Sequence, residues 1–133
     1  MKYLRARLVR LLMEYYDSDD KRIEHALCVL HHAERMMEKH PVCDGDIVIA
    51  SALLHDVGIK VSEEKYGYNN GKTQEKYGPP IAGKMLDSIG FPSGKTEVVK
   101  KIIGNHHSPS RYSYLELVVL KKADQIANRD EKM

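Results

Sequence analysis

The chain has 133 residues and a formal net charge of +2, from 21 Lys and Arg against 19 Asp and Glu with seven histidines counted neutral. That length fits one domain with one core, and so small a charge gives no argument for nucleic acid or an anionic membrane as partner. No stretch approaches the ~18 apolar residues of a membrane helix. The two cysteines, Cys28 and Cys43, form neither a CxxC nor a disulfide framework. The expectation is therefore a single domain over 1–133, with free thiols in a reducing cytoplasm.

Helical periodicity dominates the chain, and strand-like alternation is nearly absent. Residues 2–16 place Leu4, Leu8, Leu11, Leu12 and Tyr15 on one face. Ser18 can cap a second helix, with Asp19 and Asp20 favoured in its first turn by the macrodipole. That helix is predicted to run to about His40 and stop before Pro41. Along it His25, Val29, His32 and Met36 recur three or four apart, so His25 sits among apolar neighbours. Cys28 reads as core packing, and His31 and His32 as boundary or solvent-facing residues.

Residues 46–56, Asp-Ile-Val-Ile-Ala-Ser-Ala-Leu-Leu-His-Asp, have no polar face until the His55-Asp56 doublet. Such a helix belongs at the centre, covered on all sides, with Gly58 as its C-terminal stop. Residues 61–78 are polar and carry Gly67, Gly71, Gly78 and an Asn69-Asn70-Gly71 turn signal, so they read as one long loop. Tyr66, Tyr68 and Tyr77 in that stretch suit either stacking on a nucleobase or covering apolar surface. Pro79 and Pro80 are expected to open a helix with Ala82, Met85, Leu86 and Ile89 inward, closed by Gly90. Ser93 can cap the next, with Val99, Ile102, Ile103 and His106 on one stripe. Ser113-Tyr114-Leu115-Glu116 matches a capping box and opens a last helix to about Asn128. The sum is an all-α compact bundle of about six helices.

Burying an imidazole or carboxylate on an apolar face is costly unless it is paired or ligates a cation. His25, His55, Asp56, His106 and Asp124 each lie on or at the end of such a face. Each alone has a packing reading, and His25 by itself reads more simply as a satisfied core histidine. An adjacent buried His and Asp have none, and one shared divalent cation would account for the whole set. Gly94-Lys95-Thr96 is not a P-loop, because Ile89 stands where the first glycine is needed. No His-Glu-x-x-His occurs.

The strings Arg22-Ile-Glu-His25-Ala-Leu-Cys-Val, Ala-Leu-Leu-His55-Asp56-Val-Gly-Ile-Lys60 and Ala123-Asp124-Gln-Ile resemble the HD-domain superfamily of metal-dependent phosphohydrolases. The resemblance spans roughly residues 20–128. It implies an all-helical fold and one divalent metal (Mn, Fe, Co, Ni, Zn or Mg) held by His25, His55, Asp56 and Asp124. It further implies a phosphoester substrate of small-molecule or nucleotide kind. A histidine that helps hold a second metal in many members is missing from Glu75–Pro80, which favours a mononuclear site. Ile59 stands where 5′-deoxynucleotidase-like members carry an acidic residue, and Gly67-Tyr68 is followed by Asn69 rather than proline. The expected roles are Lys60 as a phosphate clamp, and His106 or His107 as phosphate contact or acid toward the leaving group. The rival expectation is a regulatory module that binds metal or nucleotide with little turnover. Exposed Met and Tyr side chains permit a homodimer.

Overall fold

The computed structural model describes residues 1–132, and among them there is no strand. Seven helices follow in order: α1 (Leu4–Tyr16), α2 (Asp20–Met37), α3 (Gly45–Leu54), α4 (Gly58–Tyr66), α5 (Gly71–Ser88), α6 (Ser93–Ile103) and α7 (Leu115–Glu131). The all-helical class matches the sequence expectation, and the extra helix comes from the stretch read as a loop.

Helix α3 is the centre. Its residues Ile47 to Leu54 are all buried, and α1, α2, α6 and α7 pack around it. A helix apolar on every side can only be stable inside such a shell. Each fully buried Leu or Ile there contributes roughly 1.5–3 kcal/mol relative to exposure. Asp44 starts α3 cleanly, its carboxylate accepting from the backbone N–H of Asp46 (3.1 Å) and Ile47 (3.3 Å). Helix α2 lies in a cradle between α3 and α7.

The predicted loop over 61–78 is a correction. Gly67, at φ 76°, ends α4 by returning its N–H to the Glu63 carbonyl. Asn70 and Thr73 then form a reciprocal capping box that opens α5. The Asn-Gly signal therefore marks a helix start rather than a surface excursion. Pro79 and Pro80 lie inside α5 instead of opening it. Gly78 before them has no Cβ, which relieves part of the clash that normally drives the pre-proline residue out of helical geometry. Packing of α5 on both α4 and α6 outweighs the two missing N–H donors.

Gly58 is likewise not a stop but the first residue of α4. A Cβ on it would sit 2.6 Å from the Gly78 nitrogen and 2.8 Å from the Gln74 carbonyl oxygen. Helices α4 and α5 thus meet backbone to backbone at this point. Three expected caps also move, Ser93 among them, since α6 starts after Pro92 without a side-chain cap. Asp19, not Ser18, accepts from the Arg22 N–H (3.4 Å) at the start of α2. Glu116 does not cap α7. Its carboxylate accepts from the Asp44 N–H (2.8 Å) and so ties α7 to the start of α3.

Candidate metal centre

His25 comes from the middle of α2, His55 caps the C-terminus of α3, Asp56 follows it, and Asp124 comes from α7. Their side chains converge. His25 Nε2 lies 3.3 Å from Asp56 Oδ2 and 3.2 Å from Asp124 Oδ1. His55 Nε2 lies 3.3 Å and 3.4 Å from the same two oxygens. Two nitrogens and two oxygens therefore alternate around a small quadrilateral. Ligand atoms about 2.1 Å from one ion are separated by about 3.0 Å at right angles and about 3.4 Å at the tetrahedral angle. The observed edges fall in that range.

The tautomers are fixed by acceptors on the far side of each ring. His55 Nδ1 faces the Ala52 carbonyl at 2.8 Å, and His106 Nδ1 faces the Ile103 carbonyl at 2.5 Å. His25 Nδ1 faces the Glu131 carboxylate at 2.7 Å. Carbonyls and carboxylates only accept, so each Nδ1 carries a proton, and in its neutral form each ring presents its Nε2 lone pair inward. His55 Nε2 and His106 Nε2 are buried without any hydrogen-bond partner. An orphaned buried acceptor is unusual, and two of them beside two carboxylates fit a cation. His106 Nε2 stands 3.9 Å from Asp56 Oδ1, so it approaches the second oxygen of that carboxylate. One donor each from Asp56, His106 and His107 lies within 4.8 Å of the others, as does one each from His25, His55 and Asp124.

Electrostatics agree with a site that expects positive charge. Burial pushes the Asp56 carboxyl up, but the imidazole of His55, followed by His106 and His25, brings it down to about 2. Burial also works against Asp124, and the imidazoles of His25 and His55 beside it overcome that, leaving the carboxyl well below the usual range. Burial lowers His55 and His25, while Asp56 and Asp124 raise the first and Asp124 the second, so both end above an ordinary histidine. His106 differs. Burial, then the charge of His55 and His107, brings it down to about 4, so it is neutral near pH 7.

A cavity of about 340 Å³ opens over this cluster, lined by Lys21, Arg22, Ile59, Asn69, Gln74, His107, Asn128 and Glu131 among others, with His25, Asp56 and Asp124 at its floor. Along one wall the hydrogen bonds run in a fixed sense. Glu63 accepts from Asn69 Nδ2 (3.1 Å), and Asn69 Oδ1 accepts from Gln74 Nε2 (2.8 Å). Gln74 Oε1 in turn accepts from His107 Nε2 (2.5 Å). The exposed His107 ring is thus held against the cavity by a chain that begins at a carboxylate.

The remaining sequence-predicted site residues are placed differently. Lys60 does not line this cavity. Its ammonium donates to the Tyr15 carbonyl (2.8 Å) and sits 5.0 Å over the Tyr15 ring, beside a second cavity of about 310 Å³ near Tyr16, Arg22 and Glu63. His106 is buried behind the floor rather than open to a ligand. Arg22, Asn69, Gln74 and Glu131 were not anticipated. The Asn70-x-x-Thr73 capping pattern was the available signal, because it starts a helix that puts Gln74 and Gly78 on one inward face. Glu131 lay beyond the predicted end of the last helix.

No curated protein matches the chain. Among solved structures it is similar to a protein from an uncultured Thermotogales bacterium described as a "predicted HD superfamily hydrolase". The identity is 24% and the TM-score 0.68, over 99% of this chain and 75% of that one, which is a likeness of fold. The family model described as HD domain matches residues 22–129, an interval that begins at Arg22 and takes in every one of the four converging side chains. The chain belongs to the HD domain family.

Proposed function

We propose that the chain is a divalent-metal-dependent phosphohydrolase acting on a small phosphoester of nucleotide size. The observation that carries the reading is the inward aim of His25, His55 and His106 Nε2, each ring pinned from behind, onto two carboxylates at the floor of an open cavity. His25, His55, Asp56 and Asp124 would hold the ion. When bound, it supplies Lewis acidity toward a phosphoryl oxygen and toward water. Arg22 and Lys21 on the cavity wall contribute positive charge for the phosphate. Asn69 and Asn128 offer amide groups to whatever extends beyond it. His107, its Nε2–H held by Gln74, would donate from Nδ1 of the protonated ring toward the leaving group, a role for which Lys60 and His106 are less well placed.

A regulatory HD module is the second reading, and one observation favours it. Arg22 is shared between Asp19 (3.6 Å) and Glu63 (3.4 Å), which weakens its pull on an anion. The test is metal-stripped protein reloaded with Mn, Co, Ni, Zn or Mg and screened against phosphomonoesters and phosphodiesters. Turnover that appears only with ion, and is lost in His107→Ala while the ion stays bound, supports the enzyme. Ion binding without cleavage above background in that screen overturns it in favour of the module.

A further inference from the structure

Away from the central cluster, on the outer seam of α2 and α7, a second set of unlike donors meets. Cys28 and His32 stand four apart on α2, hence on one face, and Asp130 reaches them from the last turn of α7. One donor atom from each lies within 4.8 Å of the other two. His32 Nε2 and Asp130 Oδ2 are 2.9 Å apart, so imidazole and carboxylate are already oriented toward each other. Cys28 is partly buried, with a free thiol. The surroundings are acidic: burial, then Glu131, Asp130 and Glu24, push that thiol up in the absence of a cation. None of the three donors belongs to the cavity over His25.

We propose that Cys28, His32 and Asp130 form a second, independent site for a zinc-class divalent ion. The donor set, one sulfur, one imidazole nitrogen and one carboxylate oxygen, suits a borderline-soft ion and disfavours Mg or Ca. Three protein ligands leave a fourth position to water, unlike a closed four-ligand structural site. Cys28 would bind as thiolate, releasing its proton. The position gives the ion a purpose. Asp130 adjoins Glu131, whose carboxylate holds His25 Nδ1. An ion joining Asp130 to α2 clamps the final turn of α7 and with it the support of His25. The site itself does not depend on the central cluster being a metal centre; only this coupling rests on that reading.

The experiment is titration of the metal-stripped full chain with Co(II), followed by Zn(II). A thiolate-to-cobalt charge-transfer band should appear in the near ultraviolet, and Zn(II) should remove it. Cys28→Ser should abolish the band, and His32→Asn should weaken cobalt affinity tenfold or more. Cys43→Ser and Asp56→Asn should both retain the band. Wild-type protein without the band, or a band that survives Cys28→Ser, overturns the proposal. If Cys28→Ser does not fold, His32→Asn decides alone, since His32 lies at the surface seam and unchanged affinity there is equally fatal. A band that persists when Asp56→Asn has lost central ion binding shows that the two sites stand or fall separately.

Discussion

At the scale of single residues, the site is governed by what stands behind each histidine. Glu131 holds His25 from an exposed position at the end of α7, so it can be changed without opening the core. Outer partners of this kind commonly tune metal affinity by about 10–100-fold. Glu131→Ala is therefore expected to weaken binding of the central ion by that factor, measured by calorimetric titration, with helix content unchanged. Affinity equal to wild type would show that His25 needs no orientation from Glu131. The four converging residues were legible in the sequence because each interrupts an apolar face, a cost that invites explanation. Gln74 and His107 were not legible as a pair. Nothing in their separate neighbourhoods tells that residues 33 apart share a hydrogen bond. Lys60 illustrates the converse. It follows the His55-Asp56 motif closely in sequence, yet its direction is set by the Tyr15 carbonyl.

At the scale of elements, the crossing of α4 on α5 is the least forgiving contact. An alanine methyl at Gly58 would meet backbone atoms at 2.6 and 2.8 Å, and one at Gly78 would meet Ile103 Cγ2 at 2.8 Å. Overpacking of this sort costs about 1–3 kcal/mol. Gly58→Ala should lie at or above the upper end, because backbone cannot step aside, and Gly78→Ala lower, because an isoleucine can shift. Gly45→Ala is the control, since a Cβ there meets nothing within 4 Å, and it should be neutral or slightly stabilising. Urea denaturation midpoints check the order, and equal midpoints for Gly58→Ala and Gly45→Ala would contradict the described crossing. This crossing also explains the limit of sequence reading here. Helices α1, α2, α6 and α7 announce themselves by apolar periodicity, and α3 by an unbroken apolar run. Helix α4 and the first half of α5 present mostly polar residues, and of their buried positions, Gly58, Ile59, Ser62, Gln74 and Gly78, one alone carries a hydrophobic signal. Pro79-Pro80 then mimics a helix start in the middle of one.

At the scale of the whole molecule, the central cluster joins α2, α3 and α7 and lies beside the end of α6, so an ion there ties most of the bundle together. Metal-free, His25 and His55 titrate above their ordinary value. Their stabilising contribution is full below the unfolded value of about 6.5 and fades as pH rises through the folded value. A bound ion reverses the trend, because it requires those rings deprotonated. The rise in Tm on adding ion, which follows RT ln(1 + [L]/Kd), should therefore grow from pH 5 toward pH 8 and, in a Cys28→Ser background that removes the second site, vanish in Asp56→Ala. Thermal melts with and without ion across that range test this, and a rise independent of pH would place the ion elsewhere. One last consequence concerns the order in which such a protein assembles. The bonds that aim His55 and His106 each span three residues, so they arise with the ends of α3 and α6 themselves. Asp124, by contrast, arrives only when α7 docks. Before α7 docks, His55, His106 and Asp56 would lack both this carboxylate and the Glu131 that holds His25. An ion captured at that stage would act as a template, recruiting the last helix to complete its shell.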